Sequence, residues 1–148
     1  MAELRPKGAK KLHWRDEKPA SQELLVQAVK ALRLEHTIVV RIEVGDERQE
    51  RQRRLCMERL LLELHNLGVA EVTFESRGPA DDKKDMDLIG ALRAKKTITS
   101  SLRAQHMPGP AEPLLWIPDI VCGAVSQDQQ GSTKNFATIE AASTVHYC

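Results

Sequence analysis

Residues 37–74 read TIVVRIEVGDERQERQRRLCMERLLLELHNLGVAEVTF, and this stretch decides the fold class. Its opening, 37–44, is rich in β-branched side chains and predicts a strand. Ile38-Val39-Val40 is apolar on both faces, as expected of an interior strand in a covered sheet. Gly45-Asp46 ends it. A helix is expected over 47–67, with Met57, Leu60, Leu61, Leu64 and Leu67 as its buried stripe and Gly68 as a left-handed cap. Residues 69–74 then return to strand character, with Ala70, Val72 and Phe74 on one face. A strand, a long helix and a second strand form the repeating unit of an α/β layer fold, because parallel strands need a crossover of a dozen or more residues.

Working outward, Leu12-His13-Trp14 predicts a short strand closed off by Pro19. Ser21 reads as the N-cap of a helix whose apolar positions are Leu24, Leu25, Ala28, Val29 and Leu32. Beyond the central stretch, Ser76-Arg77-Gly78-Pro79 is a loop. Asp81 or Asp82 caps a helix running to Lys96, with Met86, Ile89 and Leu92 toward the core. A strand is expected over 102–106 and a final helix over 112–125, opened by Pro113. The domain reading is a basic N-terminal segment at 1–10, one α/β domain over 11–125, and a polar tail at 126–148. A weak terminal strand is expected near 142–147.

The chain has 148 residues, 41% hydrophobic and 29% charged, the composition of one ordinary globular domain. Its apolar runs are far shorter than the ~20 residues a membrane helix needs, and no apolar stretch follows the charged first residues as in a secretory signal. Cys56, Cys122 and Cys148 are odd in number and lack metal-ligand spacing, which fits a reducing cytoplasm. Cys56 and Cys122 fall in helical patterns and read as core thiols. A net charge of +1 gives no global case for a polyanionic partner. Locally, Arg5, Lys7, Lys10, Lys11, Arg15 and Lys18 read as a solvated terminus or as a basic lip beside a phosphate-bearing ligand. Arg48, Arg51, Arg53 and Arg54 read as a solvated helical face, since Glu47 and Glu50 stand four residues before Arg51 and Arg54.

Three side chains carry the candidate chemistry. Asp119 lies in the most apolar segment, LLWIPDIVCGAV at 114–125, where an ionised carboxylate is costly unless it is paired or binds a metal. Pro118 is expected to kink the helix there. The plainer possibility is that Asp119 faces solvent or caps a neighbouring backbone. Glu75 stands at the carboxyl end of a strand, where ligand sites of open α/β sheets lie. Two such acids suit Mg²⁺, which takes oxygen ligands and neutralises phosphodiester charge. His13, near Asp16 and Glu17, is a candidate general base or a hydrogen-bonded structural residue. His106 reads the same way.

Four segments, in this order, resemble a known group: Lys11-Leu12-His13-Trp14-Arg15-Asp16-Glu17, Cys56-Met57-Glu58-Arg59-Leu60, Phe74-Glu75-Ser76-Arg77, and Glu112-Pro113-Leu114-Leu115-Trp116-Ile117-Pro118-Asp119 with Gly123-Ala124-Val125. They look like a large bacterial group of uncharacterised proteins with a predicted ribonuclease-H-like fold. The likeness spans about residues 10–125, and the acid followed four residues later by glycine is its most specific piece. It implies a mixed sheet flanked by helices and a carboxylate-lined, Mg²⁺-dependent site of nuclease type. Glu75 and Asp119 would be metal ligands and His13 would lie near them. The usual N-terminal hairpin with its Asp-Glu-Ser strand is expected to be missing, and Asp16-Glu17 does not replace it. The expected activity is Mg²⁺-dependent hydrolysis of RNA or DNA phosphodiesters in the cytoplasm. The alternative is an inactive relative serving as a protein-interaction module, able to form a homodimer through an exposed sheet edge.

Overall fold

A computed structural model describes Glu3, Gly8, 10–42 and 45–148. The end of the expected 37–44 strand, and Arg5 and Lys7 of the basic segment, lie outside the described residues. Among those described, the fold is mixed α/β, with five α-helices and two parallel two-stranded sheets. Contacts group the chain into two units: 1–36 with 108–144, and 37–107 with 145–148. The sequence reading has one domain over 11–125 followed by a tail.

The first unit is helical. α1 (Pro19–Ala31) opens on Pro19 and buries Gln22, Leu25, Val26 and Val29, an i, i+3, i+4, i+7 spacing that places them on one face. α4 (Trp116–Gln129) buries Trp116, Ile117, Ile120, Val121, Ala124 and Val125. α5 (Lys134–Ile139) contributes Phe136 and Ile139, and the three helices pack on one another. Within the expected tail, α5 is a helix that its polar composition concealed. Several features here differ from expectation: Ser21 lies inside α1, whose N-cap is Lys18, and Leu24 and Leu32 of the expected apolar stripe are exposed. His13 and Trp14 form no strand: His13 is extended and leads into a 3₁₀ turn, Trp14–Asp16. Pro118 does not sit mid-helix, because α4 begins only at Trp116. Its missing N–H falls in the first turn, where no helical acceptor exists.

The second unit holds one of the two sheets whole. β2 (Glu71–Glu75) and β3 (Arg103–Met107) pair in parallel, with Phe74 opposite His106. α2 (Gln49–Asn66) and α3 (Pro79–Ala94) supply Met57, Leu61, Leu88, Ile89 and Leu92 to a core completed by Ile98 and Leu102, against which Val72, Phe74 and Ala104 pack. The opposite sheet face is polar: exposed Gln105 donates to Thr73 Oγ1 at 3.1 Å, beside exposed Glu71 and Arg103. Separately, β1 (His36–Val40) pairs with β4 (Ser143–Tyr147). Among the described residues β1 is therefore not an interior strand. Ile38 alone of its residues is buried, because a two-stranded sheet leaves each strand an open side. Three further core expectations shift by helical phase: Leu67 and Met86 are exposed, and Leu60 is half-buried.

Candidate functional site

In the first unit, Asp119 occupies the first turn of α4, where the helix dipole favours a carboxylate. It is not buried: its side chain is 41% exposed. One oxygen, Oδ2, accepts the Trp14 backbone N–H at 2.9 Å and lies 3.9 Å from His13 Nδ1. Thus Asp119 caps a neighbouring backbone, and it does so for the residue next to His13. Oδ1 takes no hydrogen bond among the described residues. The ion-pair partner of His13 is Asp119, not the adjacent Asp16 or Glu17.

Trp14 holds this arrangement in place. Its ring covers Gly123, where an added β-carbon would lie 2.2 Å from Trp14 Cδ1. Its carbonyl accepts from Gln22 Nε2 at 3.0 Å, and Gln22 Oε1 in turn accepts from Gln127 Nε2 at 3.0 Å. The spacing of Asp119 and Gly123 therefore has a physical meaning: one turn of α4 takes the Trp14 amide at one end and the indole at the other. Cys122 lies on the same side of α4. It is exposed, contrary to the expected core thiol, yet local burial and then the Asp119 charge push its thiol pKa up.

Glu75 belongs to the second unit. It is the last residue of β2 and half-buried, and the following Ser76 N–H extends the ladder to Met107 O at 2.8 Å. The structure thus brings His13 and Asp119 together and places Glu75 in the other unit. Among the described residues, no group of three or more His, Cys, Asp or Glu side chains is arranged to hold a metal.

At the same end of β3 lies a cluster that sequence reasoning missed. Asp85 is 2% exposed and receives a two-pronged contact from Arg53, at 2.5 and 3.0 Å. His106 Nε2 stands 3.1 Å from its Oδ2 and Arg77 Nη2 3.4 Å from its Oδ1. Burial pushes the Asp85 pKa up, but the hydrogen bonds from Arg53 and His106 outweigh it and hold the carboxyl below its ordinary value. Asp82 is likewise held low, first by the Ser76 hydroxyl at 2.5 Å, with the Arg77 N–H adding at 2.9 Å. That bonding, with the Gly78 N–H donating to the Ser76 hydroxyl at 3.2 Å, closes the loop before α3. The signal was available: Asp85 continues the Ile89 and Leu92 stripe of α3, and Arg53 stands four residues before Met57 on α2. A charge in line with a buried stripe requires a buried partner.

The arginines of α2 otherwise form local pairs. Arg51 binds Glu47 at 2.9 Å and Arg54 binds Glu58 at 3.3 Å. They line an open groove of 1260 Å³ along α2 and α3 that presents six acids against five bases. Such a balance does not attract a polyanion. Comparison with protein-family models, with curated proteins and with solved structures finds no match for the chain.

Proposed function

We propose that this chain is a ribonuclease-H-like, nuclease-type hydrolase that cleaves phosphodiesters of RNA or DNA with Mg²⁺, through a site built on Asp119 and His13. The observation that supports this is the convergence of an imidazole and a carboxylate from opposite ends of the sequence, 3.9 Å apart and each more than 40% exposed. The donor chemistry fits the ion. Mg²⁺ is commonly held by one or two carboxylates with waters and substrate phosphate oxygens, and Asp119 offers one carboxylate with Oδ1 uncommitted among the described residues. When bound, the ion would neutralise phosphate charge and acidify a water. The residues do the rest: the Trp14 N–H fixes the Asp119 rotamer, Gly123 admits the indole, and His13 accepts a proton at its ring nitrogen. Glu75, in the other unit, has no role in this proposal.

The test is cleavage of labelled RNA and DNA oligonucleotides by the full chain, with Mg²⁺ and with a chelator. Asp119→Asn keeps an oxygen for the Trp14 amide, so it is expected to fold normally and lose cleavage. His13→Ala is expected to lower the rate by roughly 10²-fold or more. Cleavage that survives in Asp119→Asn overturns the assignment.

A second reading is supported by the sheets. Each has two strands, so every strand keeps one edge without a ladder partner among the described residues. An inactive interaction module would use such an edge to add a strand from a second copy of the chain. Sedimentation equilibrium would then show a dimer, and a monomer across the accessible concentrations removes this reading.

A further inference from the structure

α2 presents Cys56, Arg59 and Glu63 at a spacing of three and four residues, hence on one face. The end of the chain lies against that face. Arg59 donates to the Tyr147 carbonyl at 3.4 Å and stands 3.3 Å from His146 Nδ1, while Glu63 lies 3.6 Å from the same nitrogen. The Cys148 N–H donates to the Val40 carbonyl at 3.0 Å, continuing the ladder of β1 and β4. These contacts fix the backbone on both sides of one feature: Cys56 Sγ and Cys148 Sγ are 3.7 Å apart, although 92 residues separate them in sequence. All of these groups belong to the second unit.

We propose that Cys56 and Cys148 form a reversible disulfide, a redox modification site that clamps the segment after β4 onto α2. A disulfide needs its sulfurs at about 2.05 Å, so an approach of roughly 1.6 Å closes the bond. Cys148 is exposed and open to a small-molecule disulfide, while Cys56 is half-buried beside it and suited to resolve the adduct. The first exchange forms a bond from Cys148 Sγ to one sulfur of the reagent and expels the other as a thiolate, which takes up the Cys148 proton. Cys56 Sγ then attacks Cys148 Sγ and displaces the second reagent thiolate, which takes up the Cys56 proton. Two protein thiols are oxidised by two electrons, and one reagent disulfide is reduced to two thiols. Cys122 lies in the first unit and takes no part.

The experiment equilibrates the full chain with glutathione disulfide and glutathione, quenches with acid, and reads intact mass, thiol count and peptide linkage. The expected result is a fall from three thiols to one, a loss of two hydrogens, and a peptide joining Cys56 to Cys148. Because the thiols are held side by side, the bridge should exceed the mixed disulfide by about tenfold or more. Cys122→Ser should leave the bridge intact. Cys148→Ser, at an exposed position, should keep the far-ultraviolet circular dichroism of the parent and lose the bridge. Oxidation should also slow amide exchange over 145–148. Three remaining thiols, separate glutathione adducts on Cys56 and Cys148, an intermolecular bridge, or linkage through Cys122 would each overturn the proposal.

Discussion

At the scale of single residues, Gly123 is set by what lies on it. The Trp14 indole fills the space that a β-carbon would need, and Trp14 is itself only 6% exposed, so the ring has little room to withdraw. Gly123→Ala should destabilise the first unit by about 1–3 kcal/mol, the range for overpacked cores. The loss is read as a lower urea midpoint by indole fluorescence, and an unchanged midpoint would show that Trp14 moves aside at no cost. The same contact explains which part of the site was legible in sequence. Asp119 stood out as a carboxylate in an apolar helix, and that much located it. Its exposure was not legible, because the face it shares with Cys122 becomes the outer one only once α1 and α5 cover the other. His13 meets Asp119 through the fold of the whole unit, not through any local pattern.

At the scale of elements, Asp85 ties α3 to α2 through Arg53 and to β3 through His106, and a charged group does this where a leucine would be expected. Helix and strand positions were largely readable from period and turn residues, since Gly68 follows the end of α2 as a sequence reading suggests, but α3 begins at Pro79 behind Gly78, ahead of the expected cap at Asp81 or Asp82. Helical phase was not, because exposed Leu67 and Met86 imitate core positions while Asp85 and Arg53 imitate surface ones. Removing the Asp85 charge leaves two arginines facing a neutral amide. Breaking a buried pair costs about 3–5 kcal/mol, but Arg53 and Arg77 each keep about a third of their exposure, so Asp85→Asn should cost roughly 2–3 kcal/mol at neutral pH. The pH dependence follows from the depressed pKa. The unfolded chain binds the proton more readily, so the contribution of Asp85 is complete above about pH 4 and disappears as pH falls through its folded value. Urea midpoints of parent and variant should therefore converge in acid and run parallel above pH 5. A gap that persists at low pH would place the stabilisation in something other than the carboxylate charge.

At the scale of the whole molecule, most of the second unit, residues 37–107, lies in sequence between the two segments of the first, and 145–148 follow them. Residues 1–36 and 108–144 meet through Trp14 and Asp119, Gln22 and Gln127, and Glu23 and Lys134, with 37–107 running between them. Were that insert unfolded, the first unit would have to close a flexible loop of roughly 70 residues, an entropic cost on the order of 4 kcal/mol. A folded insert removes much of that cost, so chain connectivity makes the stability of one unit depend on the other. Both tryptophans, Trp14 and Trp116, lie in the first unit, so indole fluorescence reports that unit by itself. Leu61 is fully buried in the second unit, and Leu61→Ala should cost about 2–5 kcal/mol there. Loop closure then predicts that this substitution also lowers the indole midpoint, although Leu61 belongs to the unit without a tryptophan. Urea titrations followed in parallel by fluorescence and far-ultraviolet circular dichroism should shift together. If the indole transition keeps its parent midpoint while the dichroism splits into two steps, the first unit closes its loop unaided and the entropic argument fails.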